Sequence, residues 1–163
     1  MVDPERTTLV VPSPVGLLAL TAEGDALVEV DLAVSPESST SVADPTSASP
    51  LLAEAARQLD AYFAGELREF DLPLRPHGTP FQLAVWDALR EIPYGQTASY
   101  ADVARRIGRP TAARAVGHAN GRNPLAVVVP CHRVIGSDGS LTGYAGGLEM
   151  KRVLLALEAG ARH

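Results

Sequence analysis

The chain has 163 residues, 46% of them apolar, and a formal net charge of −5 at pH 7. That is enough apolar material for one packed domain or two small ones, while no stretch approaches the roughly 20 apolar residues of a membrane span. A single cysteine excludes an internal disulfide and a thiolate zinc cluster, and an amino terminus with Asp3 and Glu5 but no apolar signal core predicts no export, so the expected setting is a reducing cytoplasm.

Thr7-Thr8-Leu9-Val10-Val11, Gly16-Leu17-Leu18-Ala19-Leu20-Thr21 and Ala26-Leu27-Val28-Glu29-Val30-Asp31-Leu32 read as three short strands. Pro12-Ser13-Pro14 and Glu23-Gly24-Asp25 supply the turns between them. Residues 35–50, rich in Ser, Pro, Thr and Ala, read as a mobile loop without chemistry. Residues 51–64 carry a helical stripe, Leu51, Leu52, Ala55, Leu59, Tyr62 and Phe63, stopped by Gly65. Phe70-Asp71-Leu72-Pro73-Leu74 reads as one more edge strand. Arg75-Pro76-His77-Gly78-Thr79-Pro80 then marks the boundary between an amino-terminal α/β domain, 1–76, and a mostly helical domain, 77–163.

In the second half, Thr79 caps a helix that opens at Pro80 and turns Phe81, Val85, Trp86 and Leu89 inward, Trp86 being a core residue. Ser99 caps a helix over residues 100–107 with Tyr100, Val103, Ala104 and Ile107 on its inner face. After Gly108-Arg109-Pro110, Thr111 caps a second short helix, 112–119, stopped by Asn120-Gly121. Two short helices joined by such a turn form either a helix-turn-helix or a plain packing pair. The apolar run Leu125-Ala126-Val127-Val128-Val129 reads as a buried strand leading to Cys131, and a helical segment carrying Glu158 follows.

Charge is unevenly placed. Acids dominate residues 1–74, opposed only by Arg6, Arg57 and Arg68. From residue 93 to 133 the sign reverses, with Arg105, Arg106, Arg109, Arg114, Arg122 and Arg133 against Asp102 alone. Such a stretch could meet phosphates. A merely solvated face fits the same spacing.

The chemistry centres on Pro130-Cys131-His132-Arg133. An imidazole and a guanidinium beside a thiol can favour the thiolate, which is the nucleophilic form. Read together, Arg114-Ala115-Val116-Gly117, Asn123-Pro124, Pro130-Cys131-His132-Arg133-Val134-Ile135 and Tyr144-Ala145-Gly146-Gly147-Leu148, followed by Glu158, resemble the O6-alkylguanine-DNA alkyltransferases of bacterial type. The resemblance runs from about residue 79 to 158.

It implies an α/β + α protein: a ribonuclease-H-like amino-terminal domain with a small antiparallel sheet, then a helical domain with a winged helix-turn-helix. It further implies that Cys131 takes the alkyl group of O6-alkylguanine, and less readily that of O4-alkylthymine, in one irreversible turnover. His132 becomes the base that receives the thiol proton through a water, Glu158 orients its other nitrogen, and Asn123 braces the segment. Arg114 enters the duplex in place of the flipped nucleotide, while Ala113, Ala115 and Gly117 let the helix approach the minor groove. Tyr100 contacts the phosphate and the base, and Tyr144, Val134, Ala145 and Gly146 line the base pocket. Alkylated double-stranded DNA is the implied partner, with no cofactor, no metal and no membrane. The protein is expected to be a monomer in solution, with cooperativity on DNA left open.

Two positions depart from many relatives: His118 replaces a small residue, and Ala145 replaces a serine that could bond the base oxygen. Arg133 is expected to pair with or cap nearby backbone rather than react. Rival readings are a lesion-binding module without transfer, against which Cys131 itself argues, a small transcription regulator, and a cysteine hydrolase lacking any sign of an oxyanion hole.

Overall fold

The computed structural model describes residues 6–32, 49–136 and 148–160. Two compact units, Met1–Pro76 and His77–His163, make up the chain. The loop expected over residues 35–50 therefore falls almost wholly outside the described residues, as do Tyr144, Ala145 and Gly146.

In the first unit, β1 (Arg6–Val11), β2 (Leu18–Glu23) and β3 (Ala26–Leu32) form an antiparallel sheet in the order β1-β2-β3. The β2–β3 turn needs Gly24 at φ +62, a left-handed position that glycine adopts without a side-chain clash. One sheet face meets α1 (Pro50–Phe63), which opens with the Ser49 side chain accepting from the Leu52 amide at 3.2 Å. Leu18, Leu20, Leu27, Leu52, Leu59 and Tyr62 fill this core. The edge strand expected over residues 70–74 is not formed. Leu74 makes one isolated bridge to Leu27, through Leu27 donating to the Pro73 carbonyl and Arg75 to the Leu27 carbonyl. Pro73 has no amide to extend a ladder, and that limits the pairing to a single bridge.

The second unit begins with α2 (Pro80–Leu89), whose amino end carries a full capping box between Thr79 and Gln82. A second capping box, Ser99 with Asp102, opens α3 (Tyr100–Arg106). After the turn at Gly108 comes α4 (Ala113–Gly121). Trp86 is buried between them and donates its indole N–H to the Ala119 carbonyl at 2.8 Å, tying α2 to α4. This helix-turn-helix differs from expectation at both ends of α4. Thr111 does not cap it; Ala112 stands at the cap position without a side-chain bond. Residues 109–112 are closed into a turn by Ala112 donating to the Arg109 carbonyl, so the helix starts one residue later. Asn120-Gly121 does not stop it either. Asn120 stays helical because its buried amide reaches across to the Cys131 carbonyl at 3.3 Å.

The largest correction concerns residues 125–129, which are buried but form consecutive tight turns rather than a strand. Val129 donates to the Leu125 carbonyl and Val128 to that of Ala126. Val127 sits at φ +70, a left-handed conformation that a β-branched residue enters only when its surroundings impose it. The chain then passes through a 3₁₀ turn, Cys131–Arg133, into β5 (Val134–Ile135). That short strand pairs in parallel with β4 (Ala98–Ser99), directly before α3. Finally α5 (Leu148–Glu158) packs against the 3₁₀ turn.

Candidate functional site

Cys131 lies on the 3₁₀ turn with no exposed surface and in no disulfide. Three devices hold the turn. Asn123 is buried and accepts from the Leu125 amide at 3.0 Å while donating to the Leu125 and Val129 carbonyls at 3.4 and 2.9 Å. These are bonds a strand neighbour would otherwise supply, which is why an apolar run can turn back on itself here. Asn120 of α4 binds the Cys131 carbonyl. Pairing of Val134 with Ala98 and of Ile135 with Ser99 anchors the far side.

His132 follows on the same turn and is fully buried. Its Nε2 meets Glu158 Oε2 at 2.7 Å, so Nε2 carries the hydrogen and Nδ1 keeps its lone pair. That Nδ1 is buried and has no hydrogen-bond partner among the described residues. Glu158, at the last turn of α5, is only 6% exposed. It also receives Arg133 Nε at 2.7 Å and Arg133 Nη2 at 2.9 Å, and the Gly95 amide at 3.4 Å. Gly95 occupies φ +80, and a Cβ there would come within 3.2 Å of the Glu158 carbonyl, so glycine is what lets this loop close over the helix end.

Burial pushes the His132 imidazole below the usual histidine range; Glu158 pulls it up, and the charges of Arg133 and Lys151 push it down again. The unfolded chain therefore takes up a proton near pH 6.5 that the folded chain resists. Stability is expected to be complete above that pH and to fall as pH drops below it, by about 1.4 kcal/mol for each unit separating the two values. Urea unfolding at pH 7.5 and 5.0, with His132→Gln as the comparison, checks this: the variant should lose most of the slope.

Sequence reasoning missed Lys151. It has no exposed surface, and its Nζ donates to the Val134 carbonyl at 2.6 Å. Burial lowers its ammonium from the usual lysine range, opposed by the charge of Cys131. The available signal was helical spacing: Lys151, Leu154 and Glu158 follow at i, i+3 and i+7, one face of α5. Among the described residues no three His, Cys, Asp or Glu side chains gather as a metal site, and no helix is long and apolar enough to cross a membrane.

The remaining predicted residues lie on the helix pair. Tyr100 is the first residue of α3, half-buried, with its ring 3.7 Å from where a Cβ on Gly117 would stand. On α4, Arg114 and Ala115 are exposed, and Ala113 and Gly117 half-exposed. Val134 is buried directly after the Cys131–Arg133 turn. The basic stretch divides. Arg105 pairs with Asp102, Arg106 meets Glu91 at 3.7 Å, and Arg109 lies over the Phe81 ring at 5.8 Å. Arg133, counted with them in sequence, is buried against Glu158 and is removed from any phosphate-facing set.

Two family models cover this chain: "6-O-methylguanine DNA methyltransferase, DNA binding domain" over residues 80–160 and "6-O-methylguanine DNA methyltransferase, ribonuclease-like domain" over 7–76. A methylated-DNA–protein-cysteine methyltransferase of Methanosarcina barkeri is 51% identical over 91% of this chain and 94% of its own. The crystal structure of a Mycobacterium tuberculosis O6-methylguanine methyltransferase is similar at TM-score 0.86 and 47% identity, over 98% of this chain and 96% of its own. That of M. tuberculosis OGT in complex with DNA is similar at TM-score 0.85 and 49% identity, over 94% and 93%.

Proposed function

Because this chain belongs to the 6-O-methylguanine DNA methyltransferase family, we propose that it repairs alkylated duplex DNA by taking the alkyl group of O6-alkylguanine onto Cys131. One observation carries the assignment. The relatives are named for transfer to a protein cysteine, and this chain has one cysteine. DNA is the partner, as in the related complex, and the cytoplasm is the compartment, which the lone thiol supports. O4-alkylthymine is a lesser substrate. The unit after residue 77 carries both the DNA contacts and the chemistry.

The reaction follows from the geometry around the thiol. His132, with Nε2 committed to Glu158, offers Nδ1 as the proton acceptor. The Cys131 proton passes to it through a water, leaving a thiolate near the Lys151 ammonium. The thiolate attacks the alkyl carbon in line. A C–S bond forms, the C–O bond breaks, its electron pair stays on the guanine, and the proton returns from the imidazolium to the purine. A thioether is inert to the side chains described around Cys131, so each molecule acts once.

The lesion must leave the stack first. Arg114, exposed on α4, is the residue proposed to fill the gap, with Ala113, Ala115 and Gly117 permitting close approach and Tyr100 beside them. Tyr144, Ala145 and Gly146, outside the described residues, are proposed to complete the pocket with Val134. Arg114→Ala should leave stability within about 0.5 kcal/mol, as expected for an exposed site. It should slow methyl uptake from duplex on the order of 100-fold, the cost of an unsupported flip. Uptake from the free methylated base should not change, and equal loss on both would sink the role.

The test of the whole reading is intact protein mass after incubation with a duplex bearing one O6-methylguanine. A gain of one methyl, saturating at one per molecule, is expected. Retained lesion binding with no gain would leave only the lesion-recognition reading.

A further inference from the structure

Arg133 has no part in the relay, yet it is buried and heavily engaged. Its Nε and Nη2 bind both oxygens of Glu158, its Nη1 donates to the Ile92 carbonyl at 2.7 Å, and the Tyr94 ring lies 5.7 Å from its guanidinium carbon. A two-point contact of this kind fixes a guanidinium on a carboxylate in charge and in plane. Glu158, on which His132 also leans, is thus already matched by a full positive charge.

We infer that Arg133 is a positioning residue that sets the resting charge of His132: by neutralising Glu158 it keeps the imidazole uncharged, with the Nδ1 lone pair ready for a proton. The inference rests on the reading of His132 as the base. Consider the buried groups one by one. From α5, Glu158 and Lys151 face the turn; from the turn itself, Cys131 and Arg133 do; Asp87 on the adjoining α2 is exposed. With Glu158 negative and both Arg133 and Lys151 positive, a proton on His132 would put a third cation beside a single carboxylate, away from water. Without Arg133, Glu158 and His132 would be left as a close carboxylate–imidazole pair, which favours the imidazolium. The base would then be loaded before the thiol gave up its proton. The downward push on His132 from burial and from both neighbouring cations agrees in sign.

The geometry also says why the residue is arginine. A planar fork holds both carboxylate oxygens side by side from separate nitrogens and spends a third N–H on the Ile92 carbonyl, a spread that a single ammonium nitrogen does not match. Lysine at this position would keep the charge and lose part of the alignment.

The test is the pH at which His132 protonates, read from its ring nitrogens by NMR on the full chain, in wild type, Arg133→Gln and Arg133→Lys. Wild type should hold the neutral Nε2–H tautomer to well below pH 6.5. Arg133→Gln should protonate at a pH higher by about one unit or more, and the acid limb of the methyl-transfer rate should move up with it, since that limb reports the first proton lost from the coupled Cys131–His132 pair. Arg133→Lys should return most of the shift. An unmoved His132 titration in Arg133→Gln, with stability alone reduced, would overturn the inference. If that variant does not fold, Arg133→Lys and wild type decide it: a His132 whose titration is the same in both, or that titrates at or above pH 6.5 in wild type, overturns it, and a small upward shift in Arg133→Lys supports it. Because the NMR reading needs no DNA, a chain that takes up no methyl while His132 titrates as expected would defeat only the transfer reading.

Discussion

Cys131→Ser is expected to abolish methyl uptake, lowering the single-turnover rate at least about 10³-fold while binding to a lesion-bearing duplex persists. A serine hydroxyl is a far weaker nucleophile than a thiolate, and His132 cannot remove its proton to a comparable extent. The change is small in volume. It does place a hydroxyl where no exposed surface remains, which costs about 1–3 kcal/mol unless the hydroxyl finds a partner. Intact mass and a fluorescence binding titration on the same sample separate the two effects. Uptake by the serine variant at close to the wild-type rate would mean that the alkyl group lands elsewhere, and the assignment of Cys131 would fail.

Glu158→Gln should destabilise the second unit by about 3–5 kcal/mol in urea unfolding. The carboxylate receives His132, both reaching arms of Arg133 and the Gly95 amide. An amide of the same shape offers one oxygen and an N–H₂ group that points donor at donor. The buried guanidinium is then left without a counter-charge, and the imidazole loses the bond that fixes its tautomer. Methyl transfer should fall steeply in the protein that remains folded. A loss under about 1 kcal/mol would show that water reaches this cluster and screens it.

Much of the fold was legible because it is written in local signals. Thr79-Pro80 and Ser99 announce helix starts through capping that needs only neighbours in sequence, and the structure places α2 and α3 there. The turn at Glu23-Gly24-Asp25 is legible for the same reason. The apolar run at residues 125–129 was not, since hydrophobic composition reports burial and says nothing of whether a segment finds its hydrogen bonds in a sheet or in its own side chains. Here Asn123 supplies them from outside the run. Thr111 misled in the opposite way: a good capping residue sat one position too early to cap. In the site, Cys131 and His132 could be picked out by chemistry alone. Glu158 on its own reads as an ordinary helix-end charge, and only the family pattern raised it. Lys151 and Asn120 escaped notice because what they bind, the Val134 and Cys131 carbonyls, belongs to the backbone and leaves no mark in sequence.

The parallel pair of Ala98 and Ser99 with Val134 and Ile135 is the shortest sheet in the described chain, and it joins two things that could have been built apart. One strand ends in the cap of α3, which carries Tyr100 and packs against the α4 helix proposed to grip the duplex; the other leaves the turn that carries the thiol. Two residues are too few to hold a register unaided, and a slip by one would turn Val134 to the opposite face. The grip and the chemistry are therefore geared together. A substitution chosen to retune one at residues 98–99 will be felt by the other, so the two traits can be expected to vary as one.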